Sequence, residues 1–514
     1  MSTPIVIIGA GINGLVAAAD LAARGKKVRV FERAPTPGGA VRTEELTLPG
    51  FRHDVAAMNL SMFAGSAFMA RHGEEMARYG MAFVPISRPF AQAMAPGDYV
   101  GVSTDVEETL STFASDRDKA TWRDLMAAFP ARAGVVGGLL GTPMQRWPLL
   151  KFIWKTWRSL GTAKSLEVAQ FLTHSPRAWL EETFEDPRLR TALSTWGMHL
   201  DFAPDIAGGA IFPYLEAMGG QAMGMVIGQG GADVATRALV TMIEAHGGTV
   251  ECNADVTEIL HTNGRATGVV VNGKKVEAST ILAGLAPKHL LRLTGGTQDL
   301  RFDTGLEKFR HAPGTMMIHL ALDGPVPWVA KALGSFAYVH IGRDIDTASR
   351  TYTQALAGLL PDTPLLVVGQ PTVFDPTRAP DGKHTLWVQV RVVPAEIKGD
   401  AKGEITSQNW EDAKALMAER ALDLIEEQAP GFRATIRAQS LVSPLDLEAE
   451  NPNLVGGDQI CGSHHLSQNF LFRPVRGFAD GHTPIEGLHM IGAATWPGAG
   501  TGAGSGFFAA QMIK

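Results

Sequence analysis

Gly9, Gly11 and Gly14, with Glu32 eighteen residues beyond, are spaced to hold a dinucleotide. In Ile5-Val-Ile-Ile-Gly9-Ala-Gly11-Ile-Asn-Gly14 the first glycine permits a tight turn. The second lets backbone N–H groups approach a pyrophosphate, and the third lets the next helix pack close to the strand. The phosphates would rest on a helix N-terminus and its partial positive charge. Glu32 would accept hydrogen bonds from a ribose diol. The elements that must position these residues follow from the pattern. Ile5–Ile8 is apolar and of strand length, the spacing predicts a helix over Leu15–Arg24, and Val28–Phe31 is a second strand with the acid at its end.

Next comes Arg33-Ala-Pro-Thr-Pro-Gly38-Gly39-Ala-Val-Arg42, a second glycine turn with a cation after it. A nicotinamide site has no need of these; a larger cofactor does. The stretch resembles FAD enzymes of the glutathione-reductase and amine-oxidase type, in which it passes along the pyrophosphate. Gly38 and Gly39 would keep side chains clear of the cofactor, Arg33 would flank it, and Arg42 would donate charge-assisted hydrogen bonds. At the far end, Gly487-Leu-His-Met-Ile-Gly492-Ala-Ala-Thr-Trp496-Pro-Gly498-Ala-Gly500-Thr-Gly502-Ala-Gly504-Ser-Gly506 reads as a strand, a glycine loop and the start of a terminal helix. Gly492, Ala493, Gly502 and Ala503 are its candidate flavin contacts. If that helix points its N-terminus at the flavin pyrimidine, its unpaired N–H groups would stabilise the negative charge that gathers there on reduction.

Side chains fit for chemistry are few. His53, beside Asp54, could hold a proton near the flavin, although such a pair on a strand is more often structural, and Trp496 is a second candidate. His464 and His465 are adjacent, would point apart on a strand and lack chelating spacing, so no metal is expected. Cys461 could carry a covalent flavin link, but a small core residue is the favoured reading.

Beyond these local signals, several motifs together resemble a known family. They are the Gly9–Leu15 start, the Gly38-Gly39 turn, Asp375-Pro376 ahead of Ala379-Pro-Asp-Gly382, Asn451-Pro-Asn-Leu-Val-Gly-Gly-Asp458, and Arg473-Pro474 leading to Pro497-Gly498. The chain resembles the phytoene desaturase and carotenoid isomerase-like flavoproteins over nearly its whole length, and most of all their branch named for a pyridine nucleotide-disulfide oxidoreductase domain. It departs from the pattern at Trp496 and Ala499, where relatives carry His and a third glycine, and at Cys461, where they tend to have His. The resemblance implies an α/β fold: an FAD-binding Rossmann-like domain assembled from discontinuous segments, with an inserted α+β substrate domain. It also implies that a backbone group near Val256 meets the adenine. The segments expected are 1–75, 220–299 and 455–514 for FAD, with 76–219 and 300–454 for substrate.

Composition agrees. The 514 residues, 45% hydrophobic and 19% charged, can bury a large core. A net charge of −6 with mixed signs argues against nucleic acid. Cys252 and Cys461 form no CxxC pair, which excludes dithiol redox chemistry and points to a reducing, cytoplasmic setting. Gly228-Gln-Gly-Gly231 is no second GxGxxG, so no separate NAD domain is expected. No leader is expected, since the apolar run Ile5–Ile8 is only strand length and flows into the glycine turn, and no apolar run reaches membrane-span length. Trp147–Leu160, read as a helix, places Lys151, Lys155 and Arg158 on one side and Leu149, Ile153, Trp157 and Leu160 on the other. A lid over the substrate cavity is the favoured role, with a peripheral membrane dock and a subunit contact as alternatives.

These observations predict an FAD-dependent oxidoreductase moving hydride between flavin and an apolar, isoprenoid or lipid-like substrate, in desaturation, oxidation or isomerisation. Oxygen or a quinone would reoxidise the flavin. An amine or amino-acid oxidase is the alternative, and a flavin-binding scaffold with little turnover is the alternative of another class.

Overall fold

The computed structural model describes residues 3–513. A five-stranded parallel sheet carries the first glycine motif. Its order is Leu488–Met490, Ile281–Ala283, Ile5–Ile8, Val28–Phe31 and Thr249–Glu251, with Ile7 opposite Leu282 on one side and Val30 on the other. These strands are short apolar runs because both faces are covered. Helices Ile12–Ala23, Asp233–Ala245 and Gly504–Met512 close one face through Leu15, Leu239 and Phe507. An antiparallel sheet of Val256–Thr262, Arg265–Val271 and Lys274–Glu277 closes the other through Val256, Ile259 and Val269. Strands far apart in sequence thus come together in one nucleotide-binding unit. The first helix begins at Ile12, three residues before the sequence-based start, because Gly11 already serves as its N-cap.

The second unit is a seven-stranded sheet in the order Ile436–Val442, Gly314–Leu322, His384–Val393, Leu365–Gly369, Tyr338–Ile341, Phe90–Ala93 and Tyr99–Val102. Alternation along Gly314–Leu322 sorts its side chains. Met316, Ile318 and Leu320 pack under helix Trp410–Gln428, while Met317 joins Tyr338, Trp387 and the helices Pro187–Met198 and Ile211–Met223 on the opposite face. Two long helices, Asp116–Leu140 and Arg146–Phe171, form a hairpin. No helix among the described residues is long and apolar enough to cross a membrane.

A buried ion cluster locks the two units together. Arg378, fully buried, donates to Asp54, to Asp375 at 3.1 Å and to the Gly228 carbonyl at 2.6 Å. Asp54 in turn accepts from Thr43 and the Ala232 N–H, and Asp375 from the Gly230 N–H. One guanidinium thus serves two carboxylates, and backbone N–H groups and a hydroxyl supply further hydrogen bonds to them, as burial of such charges requires.

Candidate flavin site

A cavity of about 310 Å³ runs along the carboxyl ends of the parallel strands, where ligands of such sheets bind. Gly9, Gly11, Gly14, Glu32, Arg33, Gly39, Arg42, Val256, Gly492 and Ala493 line it. Gly9 has φ +92°, a conformation that disfavours a side chain, and a Cβ on Gly14 would overlap the Gly9 carbonyl, so the strand and helix meet only because both are glycine. The helix opening at Gly11 has no acid in its first turn and presents free N–H groups to the cavity.

Glu32 is held by the turn it follows: Oε2 accepts from the Ala10 N–H at 2.7 Å and Oε1 from the Ala34 N–H at 2.8 Å. Each oxygen keeps a lone pair for a diol. Arg42 pairs with Glu450 at 3.1 Å, yet its Nε, 3.4 Å from Glu44, has no hydrogen-bond partner. A buried guanidine N–H left open on a cavity wall beside a helix N-terminus fits a phosphate oxygen. The glycine cradle, the fixed carboxylate and this open donor together suit FAD.

Other expected residues lie elsewhere. Gly38 sits behind the wall, donating its N–H to the Ala10 carbonyl at 2.8 Å. Gly502 and Ala503 do not line the cavity; Ala499, Gly500 and Thr501 do. The terminal helix instead presses on the first helix, with Gly506 against Asn13 and donating to its Oδ1 at 3.1 Å. Trp496 is buried away from the cavity, packs on Met144, Ala479 and Phe470, and donates to the Thr142 carbonyl at 3.0 Å. His53 is buried beside His319, its ring within 2.8 Å of Thr47 Oγ1, and desolvation pushes it down to about 4. It does not line the cavity, and its side-chain contacts are with His319 and Thr47.

Cys461 lines the cavity, and burial pushes its thiol up to about 12, so it is protonated at neutral pH and a poor nucleophile. His464 accepts from the Ala499 N–H at 3.1 Å, which holds the glycine loop, while His465 turns away to the Asp201 carbonyl at 2.7 Å. Fully buried Arg473 donates to the Cys461, Gly462, Ser463 and Ala493 carbonyls and thereby ties two stretches of cavity wall together. Residues not expected from spacing complete the wall: Asn13, His289, Arg292, Asn451, Asn453 and Gln459. Asn453 bridges the Gly284 carbonyl, at 2.8 Å, and the Ala286 N–H, at 2.7 Å. The signal for it was the Asn451–Asp458 motif, noted above without a role.

This fold and site define an FAD-binding oxidoreductase. The family model described as "Flavin containing amine oxidoreductase" matches residues 12–430, and the chain belongs to that family. The rat "Pyridine nucleotide-disulfide oxidoreductase domain-containing protein 2" is 27% identical over 99% of this chain and 92% of its own length. "Phytoene dehydrogenase" of Streptomyces griseus is 25% identical over 99% and 94%. Among solved structures, cyclohexylamine oxidase from Brevibacterium oxydans shares the fold, with TM-score 0.61, 16% identity and coverage of 100% of this chain and 99% of that one. The protein is thus an FAD-dependent, phytoene desaturase-like oxidoreductase.

Proposed function

We propose that this enzyme desaturates or isomerises an isoprenoid or similar lipid at an activated C–H. The observation that carries the reading is the distribution of charge along the cavity. Its acids, Glu32, Asp255 and Glu450, are lining residues together with the cations Arg33, Arg42 and Arg292, whereas the wall formed by Gln459, Cys461, Gly492, Ala493, Ala499, Gly500 and Thr501 is uncharged. A neutral hydrocarbon suits that wall; a cationic amine there would lack a carboxylate. The names of the phytoene dehydrogenase and desaturase relatives point the same way. Bound FAD supplies a hydride acceptor. The chain's part is to hold the wall rigid through Arg473, His464 and Asn453, to exclude water, and to orient the C–H.

A second reading, amine oxidation, draws on one residue. Glu216, on helix Ile211–Met223, has no ion pair among the described residues, and burial pushes it up to about 7. Its charge acts on Tyr338, which stacks on Trp387 at 5.7 Å. A carboxyl group near aromatic rings could take a cation. The test is anaerobic reduction of the flavin by polyenes presented in vesicles against a panel of alkyl amines. Bleaching by polyenes alone supports the first reading; bleaching by amines alone overturns it. Reoxidation by oxygen or a quinone, with NADPH inert, completes the proposed electron path.

A further inference from the structure

The helix Arg146–Phe171 buries none of its residues completely, which is unusual for a helix this rich in aromatics. Trp147 is 68% exposed, Ile153 53%, Trp154 58% and Trp157 50%, with Leu150 exposed beside them. The apolar side expected from Leu149, Ile153, Trp157 and Leu160 is divided: Leu149 and Leu160 are half-buried together with Phe152 and Thr156, Phe152 packing against Gly138 of the neighbouring helix, whereas Ile153 and Trp157 are exposed. At about 100° per residue the five exposed apolar residues share an arc of about 120°, and Lys151, Lys155 and Arg158 lie along one edge of it. Arg158 lies over the Trp154 ring at 5.5 Å. Between Asp124 and Glu167 the chain has six cations and no acid, within a protein of net charge −6.

From this face we infer a docking surface for a lipid bilayer with anionic headgroups. Tryptophans on an amphipathic helix settle at the headgroup boundary, and flanking cations meet lipid phosphates. A second copy of the chain fits less well, since pairing this helix with itself would set cations against cations without an acid to match them. The hairpin is also seated on the flavin loop: Trp496 donates to the Thr142 carbonyl in the turn between the two helices and packs on Met144 and Leu149. A docked hairpin would therefore hold the Gly492–Gly506 loop toward the membrane. The inference rests on surface chemistry and does not depend on which substrate the cavity takes.

The test is flotation of the FAD-loaded protein with phosphatidylcholine vesicles, with and without phosphatidylglycerol, at low salt. Wild type should float with the anionic vesicles, and brominated lipids should quench its tryptophan emission. Lys151→Glu with Lys155→Glu, and separately Trp154→Ser with Trp157→Ser, should each lower partitioning roughly tenfold or more while the flavin spectrum stays unchanged. All these positions are exposed, so folding should survive. Equal partitioning of wild type and both variants would overturn the proposal. So would a wild-type dimer that the variants convert to monomer, which would mark the face as a contact between copies.

Discussion

Arg42→Met tests the cavity at its open donor. The Arg42 side chain is 13% exposed, and its NH2 is engaged by Glu450 at 3.1 Å while Nε has no hydrogen-bond partner. A charge-assisted hydrogen bond contributes about 1.5–3 kcal/mol, which corresponds to roughly ten- to hundredfold in affinity. Losing the cation also leaves Glu44 and Glu450 without their shared partner beside an anionic pyrophosphate, so the effect should fall toward the upper end. Arg42→Lys keeps the charge but loses the planar donor set and should be intermediate. Apoprotein titrated with FAD, followed by quenching of flavin fluorescence at low and high salt, reads the dissociation constant. A change under about threefold, or about 0.7 kcal/mol, would refute the phosphate contact.

Gly506→Ala would place a methyl group against the Asn13 backbone; overpacking of this kind costs about 1–3 kcal/mol, and thermal unfolding with flavin release should show it. His319 is held down to about 3 and His53 to about 4 by burial, below the ordinary 6.5. The unfolded chain therefore binds protons below about pH 6.5 that the folded one does not, and stability should fall with acidification by up to about 1.4 kcal/mol per pH unit per histidine. Both His319 ring nitrogens lack partners, so His319→Leu should flatten urea midpoints measured between about pH 7 and about pH 5; an unchanged slope would contradict this. Glu216→Gln should leave polyene oxidation within about twofold, since that chemistry needs no acid there; a loss of a hundredfold or more, about 2.7 kcal/mol in the barrier, would give Glu216 a place in the reaction.

The nucleotide half of the molecule was legible because its information is local. Gly9 is dictated by its own φ of +92° and Gly14 by the Gly9 carbonyl five residues before it, and strand length and apolarity mark Ile5–Ile8 and Val28–Phe31 without knowledge of their neighbours. Trp496 was not legible: its partner Thr142 lies 354 residues away, and nothing in the loop sequence distinguishes a ring over the flavin from a ring under a hairpin. The same holds for Gln459 on the cavity wall, whose side chain is held from the far sheet by Gln389, donating to it at 2.7 Å, and by Arg391 at 3.4 Å. The Trp147–Leu160 helix failed differently. Apolar residues cover so much of its circumference that periodicity allows more than one inward face, and Gly138, a residue on another helix, decides for Phe152.

Flavin reduction with an isoprenoid substrate deuterated at its allylic positions tests the central claim most directly. Under anaerobic single turnover, bleaching of the oxidised flavin should slow severalfold with deuterium, and the product should gain a double bond for each flavin reduced. Bleaching that is indifferent to deuterium, or that occurs with alkyl amines and leaves every polyene untouched, would contradict hydride removal from an apolar C–H.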